Sequence, residues 1–266
     1  MKTRIISALI MLAIVIPISI IGGIPFTVAV LIIGLLGLKE MIDIRETKKK
    51  FPFLTKLISY LMITILILTN HNSNIFEYVL DYKYISGTLF LLLLPLIFYQ
   101  DRKKYSINDA MYLIGVLFFL GTAFNLLILV RNYSILYLIF LVLITVFTDT
   151  FAYITGRYIG KTKLAVLISP KKTWEGLLGG TFFGVLISSL FYYQVINTRV
   201  DILTLALVVT GLSLIGQMGD LVFSSFKRYY DKKDFSNLIP GHGGILDRLD
   251  SIIFVLLGFV LVISFL

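Results

Sequence analysis

Long apolar runs, broken by short polar segments, set the organisation of this chain. The runs cover Ile5–Ile21, Pro25–Ile42, Leu57–Thr69, Ile85–Tyr99, Ala110–Val130, Ser134–Tyr153, Thr173–Val195, Ile202–Phe226 and Leu246–Leu266. Most approach the roughly 20 residues that a helix needs to cross the hydrocarbon core of a bilayer. None alternates apolar and polar residues as a membrane-spanning strand would. Backbone donors and acceptors in lipid must find partners within the chain, which leaves helices. The pattern therefore predicts an all-α, polytopic membrane protein of about nine spans. Pro17 and Pro95 fall inside runs and predict kinks there.

Charge orients the spans. With the N-terminus inside, all but Lys83, Arg131 and Arg199 of the 24 Lys and Arg residues lie on the inner side. An error of one span would invert every later loop and destroy that asymmetry. The expectation is a cytoplasmic N-terminus and a C-terminus on the outer side. Composition agrees: 58% of residues are hydrophobic and only 15% charged, with a mean hydropathy of +0.94. One soluble core cannot hide that much apolar surface. The net charge of +9 then belongs to inner loops and does not point to nucleic acid. With no cysteine, disulfides, thiolate metal sites and Cys nucleophiles are excluded. Met1 to Gly23 resembles a signal peptide, with Lys2 and Arg4 before an apolar run. However, no small-x-small cleavage site follows and a second run begins at Ile24, so a retained first helix is expected.

Polar chemistry gathers in the second half. Residues 1–133 read as generic membrane helices, a scaffold with room for dimerisation and lipid access. Residues 134–266 read as the catalytic region, with the densest polar loops at Gly156–Lys172 and Lys227–Ile245. Asp149 sits deep in the sixth span, where a charge costs about 2.5–3.5 kcal/mol and needs a partner or a wet cavity. Tyr153 and Arg157 follow on the same helical stripe, so a structural Asp–Tyr or Asp–Arg contact is as open as a functional role. In Ser169-Pro170-Lys171-Lys172-Thr173-Trp174-Glu175-Gly176, Pro170 and Thr173 suit a helix start. Two lysines beside a helix N-terminus suit an anion; the bland alternative is a solvated positive loop. Gly176, Gly179 and Gly180 would let a helix or ligand approach closely.

The third cluster is the most informative. Asp220, Ser224 and Lys227 share a face near the inner end of the eighth span, followed by Arg228, Lys232, Lys233 and Asp234. Pro240-Gly241-His242-Gly243-Gly244 then forms a loop able to present backbone N–H groups to phosphate oxygens. Asp247-Arg248-Leu249-Asp250 opens the last span. Carboxylates ringed by Lys and Arg suit Mg2+, which takes one or two carboxylates and completes its shell with substrate phosphates. The basic residues neutralise what charge remains. Salt bridges among Asp220, Asp247, Lys227 and Arg248 are the alternative, but they have no use for a glycine-rich loop. His242 reads first as a hydrogen-bonding scaffold residue, with general base or ligand as the other options, and His71 as surface.

Ser224-Ser225-Phe226-Lys227-Arg228, Lys233-Asp234 and Pro240 through Asp250 together resemble the signature of bacterial phosphatidate cytidylyltransferases, also called CDP-diacylglycerol synthases. Asp149-Thr150-Phe151-Ala152-Tyr153 with Gly156-Arg157, and Ser169 through Gly176, are similar to upstream stretches of that family. Over the first half only length and helix count agree. The resemblance implies that CTP and phosphatidic acid give CDP-diacylglycerol and pyrophosphate. It also implies a multi-pass homodimer in the bacterial inner membrane, among membrane lipids, with its site facing the cytoplasm and using Mg2+, alone or with a second cation.

Carried over, Asp220 and Asp247 would be the metal ligands and, with Lys227 and Arg228, the catalytic set. Lys171 and Lys172 would join Lys227 and Arg228 on the phosphates. Gly241, His242, Gly243 and Gly244 would shape the nucleotide site, and Arg248 and Asp250 would support the metal shell. Ser169, Ser224, Asp149 and Arg157 complete the substrate-binding candidates. The expected chemistry is in-line attack on the α-phosphorus of CTP by a phosphate oxygen that is already anionic, so no strong base is needed. CTP-dependent kinases or cytidylyltransferases of other membrane lipids are the nearest alternative. An ion-coupled transporter is a distant one, since the halves differ in polarity instead of repeating.

Overall fold

Each predicted apolar run folds as helix in the computed structural model, which describes residues 2–76 and 82–266, with side chains from Ile6 onward. The side chains of Lys2 and Arg4, used above to orient the first span, lie outside the described residues. In chain order the helices are α1 (Lys2–Ile21), α2 (Gly23–Glu46), α3 (Phe53–Leu68), α4 (Tyr82–Leu93), α5 (Pro95–Phe98), α6 (Ile107–Tyr133) and α7 (Ile135–Tyr158). After a two-stranded hairpin, β1 (Lys163–Ala165) and β2 (Ser169–Thr173), come α8 (Trp174–Phe191), α9 (Ile202–Tyr229) and α10 (Leu246–Val262). A π turn, Tyr192–Ile196, extends α8, and a 3-10 turn, Ile263–Phe265, ends the chain.

Among the described residues, six helices are long and apolar enough to cross a membrane by length and composition: α2, α6, α7, α8 with its π turn, α9, and α10 with its 3-10 turn. Three shorter apolar helices, Ile6–Ile21, Phe53–Leu68 and Tyr82–Phe98, occupy the other expected runs. Pro95 interrupts its run, separating α4 from α5, because it has no N–H to donate and its ring crowds the preceding turn. Pro17 does not interrupt α1. The fold is helical as expected, with one addition. The polar segment after α7 holds an antiparallel hairpin, with Lys163 opposite Thr173 and Ala165 opposite Ser169.

The chain divides into two compact units, Met1–Tyr133 with Asp234–Asp247, and Ser134–Lys233 with Arg248–Leu266. The segment 234–247 therefore packs with the N-terminal helices.

In the first unit α2, α3 and α6 pack together, and small residues set their spacing. A Cβ on Gly34 would lie 2.3 Å from Ile67, and one on Gly121 would lie 2.9 Å from Leu66; such close approach replaces the hydrophobic drive that lipid removes. Polar ties add to it. Asn125 donates to the carbonyls of Ile67 and Thr69 at the end of α3. Buried Asp109 pairs with Arg45 at 2.7 Å and with Lys49. Arg131 donates to the carbonyls of Ser19 and Ile20, the open C-terminal end of α1.

In the second unit α8 lies flush on α7. A Cβ on Gly180 would meet the Thr148 carbonyl oxygen at 2.6 Å, and one on Gly184 would meet the Thr148 hydroxyl at 2.3 Å. The close approach expected at Gly176, Gly179 and Gly180 is thus to α7. From α9, Gln217 donates to Thr181 and Ser213 shares a hydrogen bond with Thr148. Phe254 of α10 fills the space over Gly219.

Candidate active site

Three helices of the second unit each bring a carboxylate to the same region. Asp149 of α7, Asp220 of α9 and Asp250 of α10 lie close enough to act on one another electrostatically. Cations answer them. Lys172, at the end of β2, reaches Asp220 Oδ2 at 2.7 Å and donates to the Gln217 carbonyl at 3.3 Å. Lys227, buried in the last turn of α9, acts on Asp250. Ser224 donates to Asp220 Oδ1 at 3.3 Å, one turn along the helix. Asp220 is therefore held from two sides while its side chain stays 30% exposed. Beside it a narrow cleft, too tight to hold a water molecule, is lined by Thr145, Thr148, Asp149, Ser213, Gln217 and Ser251 among apolar residues. Asp149 there is an ionisable residue inside an apolar helix, which points to a role beyond contact with lipid tails.

The hairpin fixes Lys172. Pairing of Lys163 with Thr173 ends β2 where α8 begins, and the Thr173 hydroxyl accepts from Gly176 N as the N-cap. Glu175 reaches back to the Thr162 amide at 3.0 Å. Lys171 is exposed, while Lys172 turns inward to Asp220.

The glycine-rich segment belongs to the first unit and has a different construction. Gly241 and Gly243 take φ of +76° and +86°, which side chains disfavour. The amides of His242 and Gly243 both donate to the Ile239 carbonyl, closing a tight turn. Asp247 Oδ2 accepts from the amides of Phe235 and Gly244, each at 2.9 Å. Glu40 of α2, only 3% exposed, accepts from the amides of Ile245 at 2.8 Å and Leu246 at 2.9 Å, and from the Ser236 hydroxyl at 2.6 Å. Ser7 of α1 donates to the Pro240 carbonyl.

Residues 2–266 match the cytidylyltransferase family. The chain belongs to this family. Proteins of Staphylococcus epidermidis and Staphylococcus aureus called phosphatidate cytidylyltransferase are 36% and 35% identical to it, each over 96% of both chains. One of Staphylococcus haemolyticus is 34% identical over the same share. The resemblance seen in the C-terminal motifs thus extends over the N-terminal half as well.

Within this family member, the structure brings Asp149, Lys172, Asp220, Ser224, Lys227 and Asp250 together in the second unit. Gly241, His242, Gly243, Gly244 and Asp247 sit in the first. Ser169 pairs with Ala165 in the hairpin, and Arg228 donates to the Lys232 carbonyl at 2.6 Å. Arg248 is exposed on the first turn of α10.

Several expectations change. Pro170 does not start a helix but lies in β2; Thr173 alone caps α8. Arg157 donates to the Tyr153 hydroxyl as the stripe suggests, but Asp149 faces the cleft with Ser251 instead. Asp220 pairs with Lys172 of β2, a partner outside the suggested set of Asp247, Lys227 and Arg248. The amides of His242, Gly243 and Gly244 are spent inside the loop, so this loop offers ligands close backbone approach more than a row of donors. Sequence reasoning missed Glu40. The rule that singled out Asp149, an ionisable residue inside an apolar run, applies equally to Glu40 within Pro25–Ile42 and was the available signal.

Proposed function

We propose that this chain is a phosphatidate cytidylyltransferase, which transfers CMP from CTP to phosphatidic acid and releases pyrophosphate. The match over 96% of the chain to enzymes of that name carries the substrate assignment, and the site supports it chemically. Two anionic substrates need cations to meet at all, and Lys172 and Lys227 stand at helix and strand ends beside acidic partners. A phosphate oxygen of phosphatidic acid attacks the α-phosphorus of CTP, and the bond to the β-phosphate breaks in line. That oxygen is anionic near neutral pH, so the chain's work is positioning and charge neutralisation. Lys171, Lys172, Lys227 and Arg228 take the phosphates, and the Gly241–Gly244 loop borders the nucleotide.

The donor set fits a hard divalent cation. It offers carboxylate oxygens and no thiolate. Among the described residues no three His, Cys, Asp or Glu side chains form a ready metal cage, whereas Mg2+ asks a protein for only one or two carboxylates and takes phosphate oxygens for the rest. Asp220 and Asp247 are the ligands in this reading, and Asp250 and Arg248 support them. A bound Mg2+ would carry part of the triphosphate charge.

The wider arrangement follows from the same reading. Nine spans, counting the three short helices, place the N-terminus and the basic loops in the cytoplasm and the C-terminus outside. The enzyme works as a homodimer in a bacterial inner membrane, with CTP arriving from water and lipid from the side. The test is purified full-length protein with labelled CTP, phosphatidic acid and Mg2+. CDP-diacylglycerol and pyrophosphate should appear together, stop with EDTA and resume on adding Mg2+. Product formed only when a polyprenol or another lipid replaces phosphatidic acid would move the chain to a different substrate.

A further inference from the structure

Three donors of the segment 234–247 converge on the Glu40 carboxylate, up to 206 residues away in sequence. Oε1 accepts from Ser236 and Ile245, and Oε2 accepts from Leu246. Leu246 opens α10 and Ile245 immediately precedes it, where amides lack intrahelical partners and the dipole is positive. A carboxylate delivered from α2 satisfies both amides and suits that dipole. The fit is tight, because a Cβ on Gly244 would lie 2.4 Å from Oε1. An anion this deeply buried is tolerable only when its oxygens are bonded in this way.

We propose that Glu40 is a positioning residue of the nucleotide site: from α2 it fixes the Ser236–Leu246 loop, and with it the Gly241–Gly244 turn. It touches no substrate in this role. The inference rests on reading that loop as the border of the CTP site. A group that only held α2 in place would affect stability and both substrates alike. One that sets the loop affects CTP selectively.

Both carboxylate oxygens are in use, so Glu40→Gln cannot imitate them: its NH2 must face a backbone N–H. The experiment uses full-length enzyme in detergent or nanodiscs. Wild type failing to make CDP-diacylglycerol would sink the functional reading and leave the loop clasp to be judged by hydrogen exchange alone. With active wild type, Glu40→Gln should raise the KM for CTP about tenfold or more and leave the KM for phosphatidic acid within about twofold. The amides of Ile245 and Leu246 should exchange hydrogen about tenfold faster. Gly244→Ala, which pushes Glu40 aside, should give the same KM pattern, and adding Glu40→Gln to it should cost little more. If Glu40→Gln does not fold, Ser236→Ala removes one of the three bonds and should raise the CTP KM about fivefold in a folded protein. Unchanged CTP KM and unchanged exchange in the folded variant, or an equal rise in both KM values, would overturn the inference.

Discussion

The two polar segments that flank α8 and α9 are held in opposite ways. Residues 159–173 build a hairpin from their own backbone bonds and pass into α8 through a cap three residues from the amide it serves. Residues 234–245 contain one isolated bridge, Ile239 with Gly243, and depend on two carboxylates, Asp247 nearby and Glu40 in a remote helix. Backbone pairing is tolerant of side chains, so the first segment should survive most single changes. The second has concentrated its order in a few oxygens, and single changes there should propagate.

The largest effect expected is at Asp247, where loop and metal roles can be separated. Both amides, Phe235 and Gly244, donate to the same oxygen, Oδ2. The carbonyl oxygen of an asparagine can accept both, so Asp247→Asn keeps the clasp and removes the charge. Turnover should fall more than about 100-fold, as for loss of a group that acts on the reacting charge, while exchange of the loop amides stays near wild type. Near-normal turnover would confine Asp247 to the loop. Asp247→Ala should lose both, with faster exchange at Phe235 and Gly244. At Glu40 the amides of Ile245 and Leu246 are divided between the two oxygens, so a neutral amide cannot satisfy both.

That asymmetry also marks what the sequence could tell. The helices, the cap at Thr173 and the cluster of Asp220, Ser224 and Lys227 were legible because each depends on residues within a turn or two of each other. Asp149 was legible as an expensive charge, but its facing residue Ser251 lies on α10, so its direction was not. The hairpin was hidden because its strands are only three and five residues long and lack the alternation that marks longer strands. Glu40 carried the signal of an ionisable residue inside an apolar run, but Lys39 beside it carries the same signal, and the partners that set Glu40 apart lie about 200 residues on. Its burial separates it, since Lys39 and Asp43 are exposed.

A middle-sized effect should come from Lys172, by which the hairpin reaches Asp220 in its own unit. The pair with Asp220 is 26% and 30% exposed, so water screens it and it is worth at most about 1 kcal/mol to stability. Lys172→Met should therefore leave thermal stability almost unchanged. If Lys172 takes the triphosphate, the KM for CTP should still rise about tenfold, the loss of one charge-assisted contact. A variant that loses stability and keeps its CTP KM would make Lys172 a structural tie.

The smallest effect tests the tolerant side of the comparison. Thr173→Ala removes the hydroxyl that accepts from Gly176 N, and losing an N-cap costs about 1 kcal/mol. The strand pairing of Lys163 with Thr173 uses backbone atoms and remains. Glu175 still bonds the Thr162 amide, so the entry to α8 keeps a second clasp. Thermal unfolding should shift down by a few degrees, with turnover within about threefold of wild type. A loss of activity as large as that of Glu40→Gln would mean that the hairpin is no more self-sufficient than the glycine loop. The contrast drawn from their hydrogen bonds would then fail.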